Sequence, residues 1–286
     1  MSLKAEHLTH IYQAGTAMES CALRDVSFEI EDGLFVGLIG HTGSGKSTLI
    51  QHLNGLLRPS SGTVYLDGED IFSEGCDLRK VRARVGLVFQ YPEYQLFEQD
   101  VLTDVKFGPK NMGLSDEEAE KKAIEALKVV GLSEEYHKRS PFELSGGQKR
   151  RVAIAGVLSM EPKVLILDEP TAGLDPKGRD EILGSIDRLH RERGLTIILV
   201  SHSMEDVAEY ADKLLVMDGS ELRYFDMPKA VFRHYKELER MGLAAPQITY
   251  LASDLRKAGF PVDQDMSTVE EARKEIRKLF RGNEEG

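Results

Sequence analysis

The chain has 286 residues, enough for one large domain or one domain with a smaller neighbour. Apolar residues make up 41% and charged residues 30%, a balance that excludes wholesale disorder. With 37 basic and 48 acidic side chains the formal charge is −11, which argues against a general nucleic-acid coat, because phosphate binding needs net or clustered positive charge. Two cysteines, Cys21 and Cys76, are too few for a disulfide framework and fit a reducing cytosol. A membrane-spanning helix needs about 20 consecutive apolar residues. The longest apolar runs here, Leu34–Ile39, Val164–Leu167 and Ile197–Val200, are strand-sized. Met1–His10 contains Glu6 and His7 and reads as no secretory signal. Work at a membrane would need a companion to hold the chain there.

In chain order, Leu3–Ile30 has the alternation of short strands, with a turn at Gly15-Thr16. Leu34–Ile39 reads as a buried strand. A helix should follow, with Leu49, Ile50, Leu53, Leu56 and Leu57 on one face and Pro59 as its stop. Ser115 with Glu118 predicts a reciprocal helix cap, followed by Ala119, Ala123, Leu127 and Val130 on one face and Gly131 at the end. Val164–Leu167 is a further strand, Pro176–Arg193 a helix closed by Gly194, Thr196–Val200 a strand, and a helix starts near Ser203 before a strand at Lys213–Met217. Strands alternating with helices imply an α/β fold with a mostly parallel sheet covered on both faces. After Pro228 the patterns are helical. Ile248, Leu251 and Leu255 share one face; Thr268 with Glu271 caps another helix, whose Val269, Ala272, Ile276, Leu279 and Phe280 face one way.

The strand Leu34–Ile39 runs into Gly40-His41-Thr42-Gly43-Ser44-Gly45-Lys46-Ser47-Thr48, and a helix follows at once. This is the P-loop pattern in its confirming context. The glycines let consecutive N–H groups turn inward as an anion nest, and the helix N-terminus adds partial positive charge. Lys46 supplies a point charge for β and γ phosphate oxygens, and the Ser47 hydroxyl suits Mg²⁺. Val164–Leu167 places Asp168 at a strand's carboxyl end, where ligands bind in open α/β sheets; it suits Mg²⁺ through the ion's water shell. Glu169 suits a general base. Gln90, after Val85–Phe89, is a candidate Mg²⁺ or water ligand, and His202, after Thr196–Val200, a candidate γ-phosphate contact. Lys149, Arg150 and Arg151 read as the solvated face of a helix.

Leu144-Ser145-Gly146-Gly147-Gln148 ends 20 residues before Asp168. With the P-loop, Gln90, Asp168-Glu169, Ala172-Gly173-Leu174-Asp175 and His202 in that order, the chain resembles the ATP-binding cassette (ABC) ATPases over roughly residues 1–225. The resemblance implies a P-loop nucleotide-binding domain at 1–228 with a helical subdomain at about 91–160, and a C-terminal helical region at 229–286. It further implies ATP and Mg²⁺, with Ser47, Gln90 and Asp168 at the metal and Glu169 and His202 at the reacting phosphate. Two such subunits would pair head to tail, the signature Ser145, Gly146, Gly147 and Gln148 of one facing the P-loop of the other. Tyr12 would stack on adenine, and Asp175 would lie at the seam.

Gln90-Tyr91-Pro92-Glu93-Tyr94-Gln95-Leu96-Phe97-Glu98 and Phe107-Gly108-Pro109-Lys110-Asn111 are similar to the energy-coupling factor transporter ATPases, the second of two paralogues, which power import of vitamins or of cobalt and nickel. That implies a paralogous or identical ATPase partner, a transmembrane scaffold reached through Tyr91, Pro92, Tyr94, Leu96 and Phe97, a separate substrate-binding membrane subunit, and a peripheral place on the cytoplasmic face of the membrane. The C-terminal helices would help hold the ATPase pair together. Rival readings are a soluble cassette ATPase acting on nucleic acid or ribosomes, and a nucleotide-gated regulatory module without turnover. The lack of a basic tract speaks against the first, and the intact motifs against the second.

Overall fold

A computed structural model describes residues 2–281, with side chains as far as residue 279. The chain opens with an antiparallel pair, β1 (Leu3–Tyr12) and β2 (Ser20–Ile30), then runs through β3 (Phe35–Gly40), α1 (Lys46–Leu53), β4 (Ser61–Leu66), β5 (Glu69–Asp70), α2 (Leu78–Arg84) and β6 (Val85–Val88). A helical stretch follows, α3 (Val101–Asn111), α4 (Asp116–Val129) and α5 (Gly146–Leu158). The chain then returns to the sheet with β7 (Val164–Asp168), α6 (Pro176–Arg193), β8 (Thr196–Val200), α7 (Met204–Tyr210), β9 (Lys213–Asp218) and β10 (Glu221–Asp226). It closes with α8 (Pro228–Phe232), α9 (Tyr235–Arg240), α10 (Gln247–Lys257) and α11 (Val269–Arg281).

Two sheets result. One is antiparallel, in the order β2-β1-β4-β5; the other, in the order β10-β9-β3-β8-β7-β6, is parallel except at its β10 edge. β3, β7 and β8 are buried along their whole length, as expected of strands covered on both faces. The first cover is the antiparallel sheet with α1: Leu49, Ile50 and Leu53 join Leu8, Val26 and Val64 in one core with Ile166 and Ile198. On the other face, Phe35, Leu165 and Ile197 pack with Val105 of α3, Leu127 of α4 and Ile182 and Ile186 of α6. A third cluster seats Phe232 and Leu238 against Leu214 and Val216. Ala252, Val262, Met266 and Ala272 form a small core of their own.

The helices start where the sequence predicts caps. Ser115 and Glu118 form both halves of a capping box, and Thr268 with Glu271 bonds likewise at the start of α11. Two details differ from expectation. The helix predicted to run to Pro59 ends at Leu53. Gly55 takes φ +72°, and the N–H groups of Leu56 and Leu57 turn back to the Gln51 carbonyl, so a left-handed glycine ends the helix before proline can. Val269, predicted on the inward face of α11, is 71% exposed, because it sits at the helix start beyond the reach of the small core; Ala272 is buried there, and the side chain of Phe280 lies outside the described residues.

Gly55 carries a prediction. A Cβ there would sit 3.1 Å from Leu78 Cδ2, on a backbone that side chains resist. Gly55→Ala should therefore lower stability by about 1–2 kcal/mol in urea unfolding. An unchanged midpoint would contradict the left-handed helix end.

Candidate functional site

β3 delivers the chain into the P-loop and α1 takes it out. Gly45 turns at φ +102°, and a Cβ on it would lie 2.3 Å from the Ala22 carbonyl oxygen, so only glycine lets the loop lie against β2. Lys46 is 7% exposed; its Nζ donates to the carbonyls of Gly40 at 2.7 Å and His41 at 3.1 Å. Burial pushes the Lys46 ammonium below its usual range, opposed by the negative charge of Glu169 and Asp168. Among the described residues the buried Ser44 hydroxyl has no hydrogen-bond partner. A buried hydroxyl left unpaired, glycines at positive φ (Gly43 and Gly45) and a lysine at a helix N-terminus form a set that fits a polyphosphate. Thr42, Gly43 and Ser47 are exposed at the loop's mouth and Thr48 is buried. His41 Nε2 lies 3.3 Å from Asp218, tying the loop to β9.

The two predicted carboxylates stand side by side at the carboxyl end of β7. Asp168, the last residue of β7, is 8% exposed. Burial first, then the charge of Glu169, pushes its pKa up to about 6. Glu169 holds φ +49°, a left-handed conformation rare outside glycine, and its N–H donates to the Val200 carbonyl of β8 at 3.0 Å. Its carboxylate is held from both sides. Gln90 Nε2, just beyond β6, donates to Oε2 at 3.1 Å, and His202 Nε2, just beyond β8, lies 2.8 Å from Oε1. Three residues predicted separately thus meet at one carboxylate. Among the described residues no group of three His, Cys, Asp or Glu side chains could hold a metal unaided. Mg²⁺ bound together with phosphates needs only one or two protein oxygens, which Ser47, Gln90 and Asp168 can provide.

Ser145 caps α5: its Oγ accepts from the Gln148 N–H at 3.3 Å and its N–H donates to Gln148 Oε1 at 2.9 Å. Ser145 and Gly146 are exposed, Gly147 and Gln148 half-buried, and no hydrogen bond among the described residues links them to the P-loop of the same chain. Asp175 caps α6 through the Gly178 N–H at 2.8 Å. Tyr12 is partly exposed beside α1, its Oη 3.2 Å from Thr48 Oγ1.

Arg150 departs from the solvated face predicted for it: it is 2% exposed. Its guanidinium donates to the carbonyls of Pro170 at 3.1 Å and Ala172 at 2.6 Å, and to both Glu93 oxygens at 3.3 and 3.4 Å. Arg151 is also engaged, with the Val130 carbonyl and Glu181. One buried cation therefore joins the signature helix, the loop after Glu169 and the segment after Gln90. Ala153 and Ile154, three and four residues further along α5, put Arg150 on the buried face, a spacing signal that could have found it. In that segment Pro92 and Leu96 are buried, while Tyr91, Tyr94 and Phe97 are exposed, Tyr94 to 85%. Phe97, Phe107, Met112 and Met160 line a cleft of about 1040 Å³ rimmed by Arg79 and Arg82.

The Asp168 shift fixes a pH dependence. Its folded-state value lies above the ordinary 3.8, so folding takes up a proton between that value and about 6; the resulting stability is full at the acid end and lost as pH rises through about 6. In Mg²⁺-free buffer the advantage of Asp168→Asn over the parent should grow by about 1–2 kcal/mol from about pH 4.5 to about pH 7.5, screening at the open mouth keeping it below the full shift. A constant gap in denaturation would contradict the buried carboxylate.

The chain is similar to known proteins over most of its length. Residues 23–172 match the ABC transporter family. The energy-coupling factor transporter ATP-binding protein EcfA2 of Clostridium tetani is 57% identical over 281 residues, 98% of each chain. That of Caldanaerobacter subterraneus subsp. tengcongensis is 55% identical over 282 residues, 99% of each chain. Among solved structures, cbiO1 from Clostridium perfringens, described as part of the ABC transporter complex cbiONQ, superposes with a TM-score of 0.73 at 42% identity, covering 88% of this chain and 98% of its own. The ATP-binding cassette MJ0796, a dimer bound to ADP and Pi, has a TM-score of 0.71 at 31% identity, covering 79% of this chain and 98% of its own. The chain belongs to the ABC transporter family, as one of its energy-coupling factor transporter ATP-binding proteins.

Proposed function

We propose that this chain is the ATP-hydrolysing subunit of an energy-coupling factor importer for vitamins or transition-metal ions, working at the cytoplasmic face of the membrane beside a second, paralogous or identical, cassette. The convergence of Gln90 and His202 on the Glu169 carboxylate, next to the P-loop, carries the reading. Lys46, Ser44 and the Gly40–Thr48 backbone bind the triphosphate, and Ser47, Gln90 and Asp168 hold Mg²⁺. When bound, Mg²⁺ neutralises charge on the phosphate oxygens. Glu169 orients the attacking water and takes its proton at a carboxylate oxygen, and His202 steadies both that carboxylate and the γ-phosphate. Phosphoryl transfer asks chiefly for such positioning and charge stabilisation.

The Ser145–Gln148 turn, exposed at Ser145 and Gly146, is the half of the site that a single chain leaves open. In this reading it closes over the nucleotide of the partner ATPase, and Tyr12 stacks on adenine. The cassette spans 1–228, with the helical part at about 91–160, and residues 229–286 help hold the pair. Tyr91, Tyr94 and Phe97, aromatic and exposed beside the 1040 Å³ cleft, suit apolar helices of a transmembrane scaffold. Among the described residues no helix is long and apolar enough to cross a membrane. In this reading a separate membrane subunit selects the substrate. The relative cbiO1, part of a multi-component transporter complex, supports such an assembly.

Glu169→Gln should reduce ATP turnover by about 10²–10³-fold while calorimetry still shows ATP binding. Near-normal turnover would remove Glu169 from the chemistry. Lys46→Ala should weaken ATP binding itself, and unchanged affinity would contradict the phosphate cradle.

A further inference from the structure

Two buried histidines stand behind Tyr12. His10 lies on β1, two residues before Tyr12 and on the same strand face; His52 lies on α1, four residues after Thr48. His52 is fully buried and His10 nearly so. His52 Nδ1 is 2.7 Å from the Thr48 carbonyl oxygen, which only accepts, so Nδ1 carries the proton. The other nitrogen of the neutral ring, Nε2, is then an acceptor. It lies 3.1 Å from His10 Nδ1, which must donate. Burial favours the neutral His52 ring that this arrangement needs.

The pair reaches Tyr12 by two routes. The His10 ring meets the Tyr12 ring edge to face, centroids 4.4 Å apart and planes at 77°. The Tyr12 hydroxyl lies 3.2 Å from the hydroxyl of Thr48, whose carbonyl holds His52. The contacts close a circuit, Tyr12 to Thr48 to His52 to His10 and back. A ring held against another ring and at its hydroxyl has lost rotamer freedom before any ligand arrives, which favours binding.

We propose that His10, oriented by its hydrogen bond to His52, is a positioning residue that holds the Tyr12 ring as the platform for an adenine base and couples that platform to the P-loop helix. The inference rests on the reading of Tyr12 as the base-stacking residue.

The test compares ATP with inorganic tripolyphosphate by calorimetry on the full chain, with melting curves as the check on folding. His10→Leu should weaken ATP binding by about three- to tenfold and leave tripolyphosphate within about twofold. In a Tyr12→Ala background it should cause no further loss of ATP affinity. His10→Asn, which keeps a donor towards His52 but removes the ring edge, should show the same ATP-specific loss if His10→Leu does not fold. An ATP affinity unchanged in both His10 variants, an equal loss for tripolyphosphate, or a further loss in the Tyr12→Ala background would each overturn the positioning role. If Tyr12→Ala itself leaves ATP affinity unchanged, the stacking reading fails and the His10 role falls with it. A loss in Tyr12→Ala without one in the His10 variants overturns the His10 role alone.

Discussion

The site is arranged around a single carboxylate held at the carboxyl edge of a parallel sheet. Gln90, Glu169 and His202 follow β6, β7 and β8, which are hydrogen-bonded neighbours, so strand order alone brings three residues distant in sequence to one point. The left-handed backbone of Glu169 is strained, and its N–H bond to Val200 helps hold the turn in place. β3, on the other side of β8, places the P-loop beside that carboxylate. The buried strands act as a rigid frame, and Gln90, Glu169 and His202 are each mounted on the first residues beyond one of them.

A second consequence concerns what one chain leaves unfinished. Donors that a triphosphate needs are present at the P-loop, yet the Ser145 turn, itself the start of a capped helix, faces outward. Arg150 connects that helix to the carbonyls of Pro170 and Ala172 and to Glu93, so the signature helix, the Glu169 loop and the aromatic segment after Gln90 share one buried cation. Removing one partner of such a buried pair typically costs about 3–5 kcal/mol, so the contact ties the three segments firmly to one another. That linkage suits an ATPase whose turnover is felt by a docked membrane partner.

Much of this was legible in the residues. The P-loop spacing, the Ser115 and Thr268 caps, and the runs at β3, β7, β8 and β9 identified elements whose local signals agree with the tertiary structure. β4, β5 and β10 carry weak signals: β4 opens on exposed Ser61 and Gly62, β5 is two residues long, and β10 has no buried residue, so none shows a clear hydrophobic pattern. The end of α1 was misplaced because Pro59 looked decisive while Gly55 acted first. At the site, composition concealed Arg150. Three adjacent basic residues suggest solvent, and only the helical phase of Ala153 and Ile154 reveals that the middle one faces inward. The pairing of His10 with His52 joins a strand to a helix far along the chain, a contact that no local pattern announces.

In the proposed function the outward-facing Ser145 turn completes a nucleotide site on another cassette. The most direct measurement is a structure of the assembled transporter carrying Glu169→Gln with Mg²⁺ and ATP trapped. Ser145 and Gly147 should then lie within hydrogen-bond reach of a γ-phosphate whose other oxygens meet the P-loop lysine of the partner cassette. A trapped complex in which that turn faces solvent, with every triphosphate contact made by one chain, would contradict it.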